Sequence, residues 1–180
     1  MSTEILTSLK GRLLGLGKDR QLIGRRDSDG SDAVLARPTK IINVTATATL
    51  TAKAHSQALI TVNAAAGLTL TLPAATGTGD RYKIFIGTTV TSNNVVIKVA
   101  NATDEFLGSI INVDTDTADA VAAWPAIDAD GFDTITLNGS TKGGIKGDWI
   151  EITDMASGVF LLEGKTTGTG TVVTPLSAAV

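Results

Sequence analysis

His55 is the only histidine in the 180 residues, and the chain has no cysteine. These two facts remove disulfides, thiolate metal sites and a histidine pair for zinc. Ser56 stands next to His55, but no nucleophile-elbow motif accompanies it, so a Ser–His–Asp arrangement has no sequence support. Gly164-Lys165-Thr166 has the ending of a phosphate loop. The earlier glycine such a loop needs would fall at position 159, which is Val159, and the residues between are apolar and strand-like. Asp148 and Glu151 are close enough in sequence to pair, but on a strand they point to opposite faces, unsuited to a shared acid–base site. The chain is therefore expected not to be an enzyme, with no catalytic residue and no cofactor.

Three acidic clusters pose a calcium question: Asp27 to Asp32, Asp114 to Asp119 and Asp128 to Asp133. A helix–loop–helix calcium loop needs a glutamate at its twelfth position. Counted from each first aspartate, that position holds Pro38, Pro125 and Gly139. Asp128, Asp130 and Asp133 could make at most a weak, adventitious site, and Asp/Gly turns of this kind form without metal. No metal is assigned.

The elements that would position any site are strands. Hydrophobic residues make up 43% of the chain and aromatic residues 4%. The bulk is Ala, Val, Ile, Leu, Thr and Gly, a mixture that favours strands and turns. From Ile41 onward the pattern has period two. "INVTATATLTA", "ALITVNA", "GLTLTLP", "RYKIFIG", "NNVVIKVA", "GSIINV", "DTITLNG", "GDWIEITD", "GVFLLEG" and "GTVVTPLS" read as about ten short strands. Leu68, Leu70 and Leu72 share one face, and with Tyr82, Ile84 and Ile86 they read as two strands joined by the "PAATGTGD" turn. "DTADAVAAWPAI" is the one segment here that could be helical, limited by Pro125, and reads as a loop excursion. The expected fold is all-β, a β-sandwich or jelly-roll-like domain over residues 41–180. In "NGSTKGGIKGDWIEITD", Asn138-Gly139 signals a turn and the glycines let the chain bend twice, leaving Lys142 and Lys146 on a loop. They are the candidate loop contacts, although a tight structural turn with solvated lysines explains the pattern as well.

Residues 1–40 differ. They hold eight Lys or Arg and five acids, whereas residues 41–180 hold seven Lys or Arg and thirteen acids. Ile5, Leu6, Leu9, Leu13 and Leu14 could line a short helix over 4–16, capped by Thr3. Gly11, Gly15 and Gly17 each weaken it by up to about 1 kcal/mol relative to Ala. The polar run after it ends near Pro38 and reads as extended. An N-terminal arm is thus expected, one that orders on an acidic partner surface or stays solvated. It has no aromatic residue for base stacking and the rest of the chain is acidic, so nucleic acid is not expected as a partner. No stretch approaches the roughly 18 apolar residues of a membrane span, and "MSTEILTSLKGRLLGLGKDR" lacks the pattern of a signal peptide; a soluble protein made in a cytoplasm, with no membrane partner, is expected.

"NAAAGLTLTLPAATGTGDRYKIFIGTTVTSNNVVIKVANATDEFLGS", "TKGGIKGDWIEITD" and the ending "GTVVTPLSAAV" resemble a family of tailed-bacteriophage virion proteins, described as head decoration, cement or minor structural proteins. The resemblance covers most of residues 58–180. It implies a β-sandwich or jelly-roll-like subunit on the outer surface of a capsid, a homotrimer, with the major capsid protein as partner. On that implication the arm supplies the contacts: Arg12, Lys18, Arg20, Arg25 and Arg26 against capsid carboxylates, with Leu9, Leu13 and Leu14 buried beside them. The alternative is a tail or fibre component recognising a host-surface glycan, for which Tyr82, Trp124 and Trp149 are the candidate aromatic platform.

Overall fold

The computed structural model describes residues 39–116 and 120–180 in full and, before them, the backbone of five short strands. The chain divides into two compact units, Met1–Thr39 and Lys40–Val180. In the first, β1 (Leu6–Ser8), β2 (Arg12–Leu16) and β3 (Leu22–Ile23) form an antiparallel sheet. There β4 (Arg25–Arg26) and β5 (Asp32–Ala33) form an antiparallel pair. The helix expected over 4–16 is therefore corrected: Leu6 pairs with Leu14 and Thr7 with Leu13 across a strand ladder.

The second unit is all-β, as its alternation predicts. Its elements are β6 (Ile41–Val44), β7 (Ala48–Thr49), α1 (Ala52–His55), β8 (Ala58–Val62), β9 (Leu68–Thr71), β10 (Arg81–Ile86) and β11 (Val95–Lys98). They continue as β12 (Glu105–Asp114), β13 (Val121–Ala126), β14 (Thr134–Leu137), β15 (Trp149–Ala156), β16 (Val159–Gly168) and β17 (Leu176–Ser177). Sheet I has seven strands in the order β13-β12-β16-β15-β10-β8-β6, and sheet II five in the order β17-β14-β11-β9-β7. Side chains from both sheets join one core, among them Ile60, Ile84, Phe106, Ile150 and Leu162 of sheet I and Leu70, Ile97 and Ile135 of sheet II. All of these are at most 1% exposed, which contributes roughly 1.5–3 kcal/mol each before conformational entropy is charged.

The winding differs from a jelly roll, whose strands are antiparallel. From β6 to β11 the chain alternates between the sheets, so β6, β8 and β10 lie parallel in sheet I, and β7, β9 and β11 parallel in sheet II. The leucine run and the Tyr82 run consequently do not form a hairpin: β9 and β10 belong to different sheets and the loop between them crosses the edge of the core. Both strands bury alternate residues, and two layers satisfy both faces where one hairpin would leave the leucines uncovered. The run "INVTATATLTA" is broken into β6, β7 and the start of α1, because its alanines and threonines bury little and hold no long strand. "DTADAVAAWPAI" is no helix where it is described: Val121–Ala126 is an edge strand paired antiparallel with β12. The Asp114 amide donates to the Ala120 carbonyl, which turns the even residues of β13 toward β12 and the odd ones to the open edge. Pro125 is odd, so the donor it lacks would have faced no strand of sheet I among the described residues.

Candidate interaction surface

The loops of the second unit are held by buried aspartates. Asp154, on β15 and 4% exposed, accepts the amides of Thr76 (3.0 Å), Gly77 (2.7 Å) and Thr78 (3.2 Å) and the Thr78 hydroxyl (2.8 Å). Burial pushes its carboxyl up, but the amides of Gly77, Thr78 and Thr76 together outweigh burial, and its pKa is lowered. Asp148, 3% exposed, accepts the amides of Gly144 (2.8 Å) and Ile145 (3.0 Å). Here burial is the larger effect and the pKa is raised, although Ile145, Gly144 and Thr167 all bond the charged form. Asp104 accepts the Ala75 amide at 2.9 Å and the Asn101 side-chain amide at 2.9 Å. Each of these carboxylates uses its charge to satisfy loop amides that would otherwise be buried unpaired.

Asp133 does the same for the end of the chain, accepting the amides of Ala179 (2.7 Å) and Val180 (3.1 Å). It is buried, while Asp128 and Asp130 sit exposed in a 3-10 turn. The three residues weighed for weak calcium binding thus do not converge. Among the described residues no group of three or more His, Asp or Glu comes together in a way that could hold a metal ion.

The outer face of sheet I has two zones. Over β10 and β15 it is charged: Glu151 accepts Arg81 Nε at 3.3 Å and Lys83 Nζ at 3.1 Å, and Lys83 lies 4.6 Å from the centre of the Trp149 ring. Exposed pairs of this kind are worth about 0–1 kcal/mol, so they order the face more than they stabilise the fold. Over β12, β13 and one end of β16 the face is apolar: Val121 is 67% exposed, Ile111 39% and Leu161 37%. Leu107 and Val113 lie half-buried on the same side.

The candidates read from sequence fall elsewhere. Leu9, Lys18 and Arg20 lie outside the described residues. Arg12, Leu13 and Leu14 belong to β2, and Arg25 and Arg26 form β4. Lys142 is half-buried and Lys146 exposed, in a turn closed by Asn138, whose side-chain oxygen accepts the amides of Ser140 and Lys142, each at 3.0 Å. Asp148 and Glu151 do point to opposite faces. The Ser56 hydroxyl donates to Asp80 at 2.6 Å, whereas His55 Nδ1 accepts the Thr51 amide at 3.0 Å, so the two neighbours take separate partners.

The aromatic platform is a correction. Tyr82 is 1% exposed, with its phenol pushed up to about 12 by burial and by Asp80 and Asp154, and Trp124 packs inward against the core. Trp149 alone of the three stands on the outer face, beneath Lys83. Sequence reasoning missed the apolar zone because β13 was expected as a loop. The available signal was "EFLGSIINV", whose odd positions are nearly as apolar as its even ones, as in a strand covered on both sides. No family model matches the chain, and no curated protein matches it.

Proposed function

We propose that this chain is a structural virion protein of a tailed phage, a decoration or cement subunit. In this reading it binds the outer surface of the head and bridges neighbouring major capsid protein subunits. The observation that carries the reading is the outer face of sheet I: an exposed apolar zone beside an ordered charged one, on a scaffold whose loops are locked by Asp104, Asp133, Asp148 and Asp154. A preorganised surface loses little entropy on docking, which suits a protein that works by adhering. The resemblance over residues 58–180 supports the assignment to a virion. The excess of basic residues before position 41 supports an arm that pairs with capsid carboxylates through Arg12, Lys18, Arg20, Arg25 and Arg26. The burial of Tyr82 and the inward packing of Trp124 weigh against the glycan-binding alternative.

The test is co-sedimentation of the purified chain with undecorated capsids, with and without residues 1–36. The full chain is expected to pellet with capsids. The truncated chain is expected to keep its β circular-dichroism spectrum and its melting transition and to lose most of its binding. Undiminished binding by the truncated chain would remove the arm from the account, and no binding by the full chain would contradict the capsid assignment.

A further inference from the structure

We propose that Asn112 and Asp114, at the end of β12, form a binding site for a hard divalent cation, calcium by its chemistry. The proposal is independent of the capsid reading and uses neither zone of the outer face. Both residues lie on the inward side of β12, 1% and 7% exposed. Asp104, Asp133, Asp148 and Asp154, the other buried aspartates, each accept at least two hydrogen bonds of 3.0 Å or shorter. Asp114 differs. Among the described residues its carboxylate accepts one bond, from the Asp116 amide at 3.2 Å, and it has no ion-pair partner. A buried carboxylate this short of donors is costly unless positive charge reaches it.

The second, independent observation is Asn112. Its Nδ2 donates to Thr166 Oγ1 at 2.9 Å, which leaves Oδ1 buried without a partner. Oδ1 lies 2.9 Å from the position a Cβ on Gly168 would take, and Gly168 is the register partner of Asp114. The amide oxygen therefore reaches along the strand to the level of Asp114, into room that a glycine leaves. Val172 covers that room from the loop after β16, and Asp116 holds the loop by accepting the Gly170 amide at 2.6 Å. Two oxygen acceptors, one of them charged, thus share a face, and both lack donors. The set is one acid and one amide, so it forms without any convergence of three His, Asp or Glu. Amide and carboxylate oxygens, with no nitrogen or sulfur, suit calcium or magnesium rather than zinc or copper. Calcium is favoured because it accepts irregular shells of oxygen ligands, whereas magnesium demands a near-ideal octahedron. Water completes the shell past Thr115 and Asp116, which are exposed. So few protein ligands make a weak site, with a Kd on the order of 0.1–1 mM.

Thermal unfolding of the full chain tests this after chelator treatment, in about 10 mM calcium chloride against sodium chloride of equal ionic strength. Equilibrium dialysis measures the binding directly. Calcium is expected to raise the melting temperature by about 3–6 °C beyond the sodium control. Asp114→Asn, which keeps the shape, is expected to lose that shift and to weaken binding at least tenfold. Asn112→Asp is expected to melt lower than the wild type in chelator, because two carboxylates then face each other, and to be restored by calcium. Asp128→Asn with Asp130→Asn, in the exposed 3-10 turn, is expected to change neither reading. No calcium shift beyond sodium in the wild type, or a shift that survives Asp114→Asn, would overturn the proposal. So would an Asn112→Asp variant that calcium fails to restore, since the amide nitrogen and not its oxygen would then face Asp114. A shift abolished by the Asp128 and Asp130 changes would assign the effect to an adventitious surface site and overturn it as well. The wild-type measurement stays decisive if a variant folds poorly.

Discussion

Asp148 and Asp154 are six residues apart, both buried and both bonded to loop amides, yet they titrate in opposite directions. Asp154 gathers enough donors to overcome burial; Asp148 does not. The consequences for stability have opposite signs. A carboxyl held below its unfolded value, about 3.9, stabilises the fold fully above that value and loses the contribution as pH falls through its folded pKa. A carboxyl held above it makes stability decline as pH rises from about 4 through the folded pKa. Urea unfolding between pH 2 and 7 is therefore expected to show Asp154→Asn losing the acid-side rise of the wild type, at a cost of about 2–4 kcal/mol at pH 7. Asp148→Asn is expected to lose the decline above pH 4. Parallel changes in the two variants would show that the balance of burial and amide donation has been misjudged.

At the scale of elements, the turn from Asn138 to Asp148 shows how tightly the loops are built. Gly139 has φ +78°, and a Cβ there would overlap the Val90 carbonyl oxygen. Gly79 has a similar φ of +73° with nothing within 4 Å. Gly139→Ala is expected to cost about 3 kcal/mol or more and Gly79→Ala roughly 1–2 kcal/mol, measured by chemical unfolding. Equal costs would mean that the turn can move off Val90. These elements differ in how far they were legible. The strands at Ala58, Leu68, Arg81, Val95 and Trp149 were readable because Leu, Ile and Val alternate with Thr, Lys and Glu, and burial follows that alternation. β13 was not, because Ala and Pro state no strand preference and its pairing with β12 supplies what the local sequence lacks. The parallel winding of β6 to β11 was hidden for a related reason: which strand a strand lies beside is decided by the two-layer core, not by its own residues. The buried aspartates looked like ordinary turn residues until their amide partners, up to 78 positions away, were in place.

For the whole molecule, surface is the working part of the function we propose. Sheet I offers one charged and one apolar zone outward, sheet II closes the core, and the pinned loops keep both in shape. On the capsid reading we propose, the chain would act by number, since a shell is reinforced only if its contacts are occupied over most of the surface. The most direct test is therefore the copy number of this chain in purified particles, by quantitative mass spectrometry against the major capsid protein. The account predicts copies of the same order as the major capsid protein, lost together with head stability when the chain is deleted. A handful of copies per particle, confined to the tail, would contradict it.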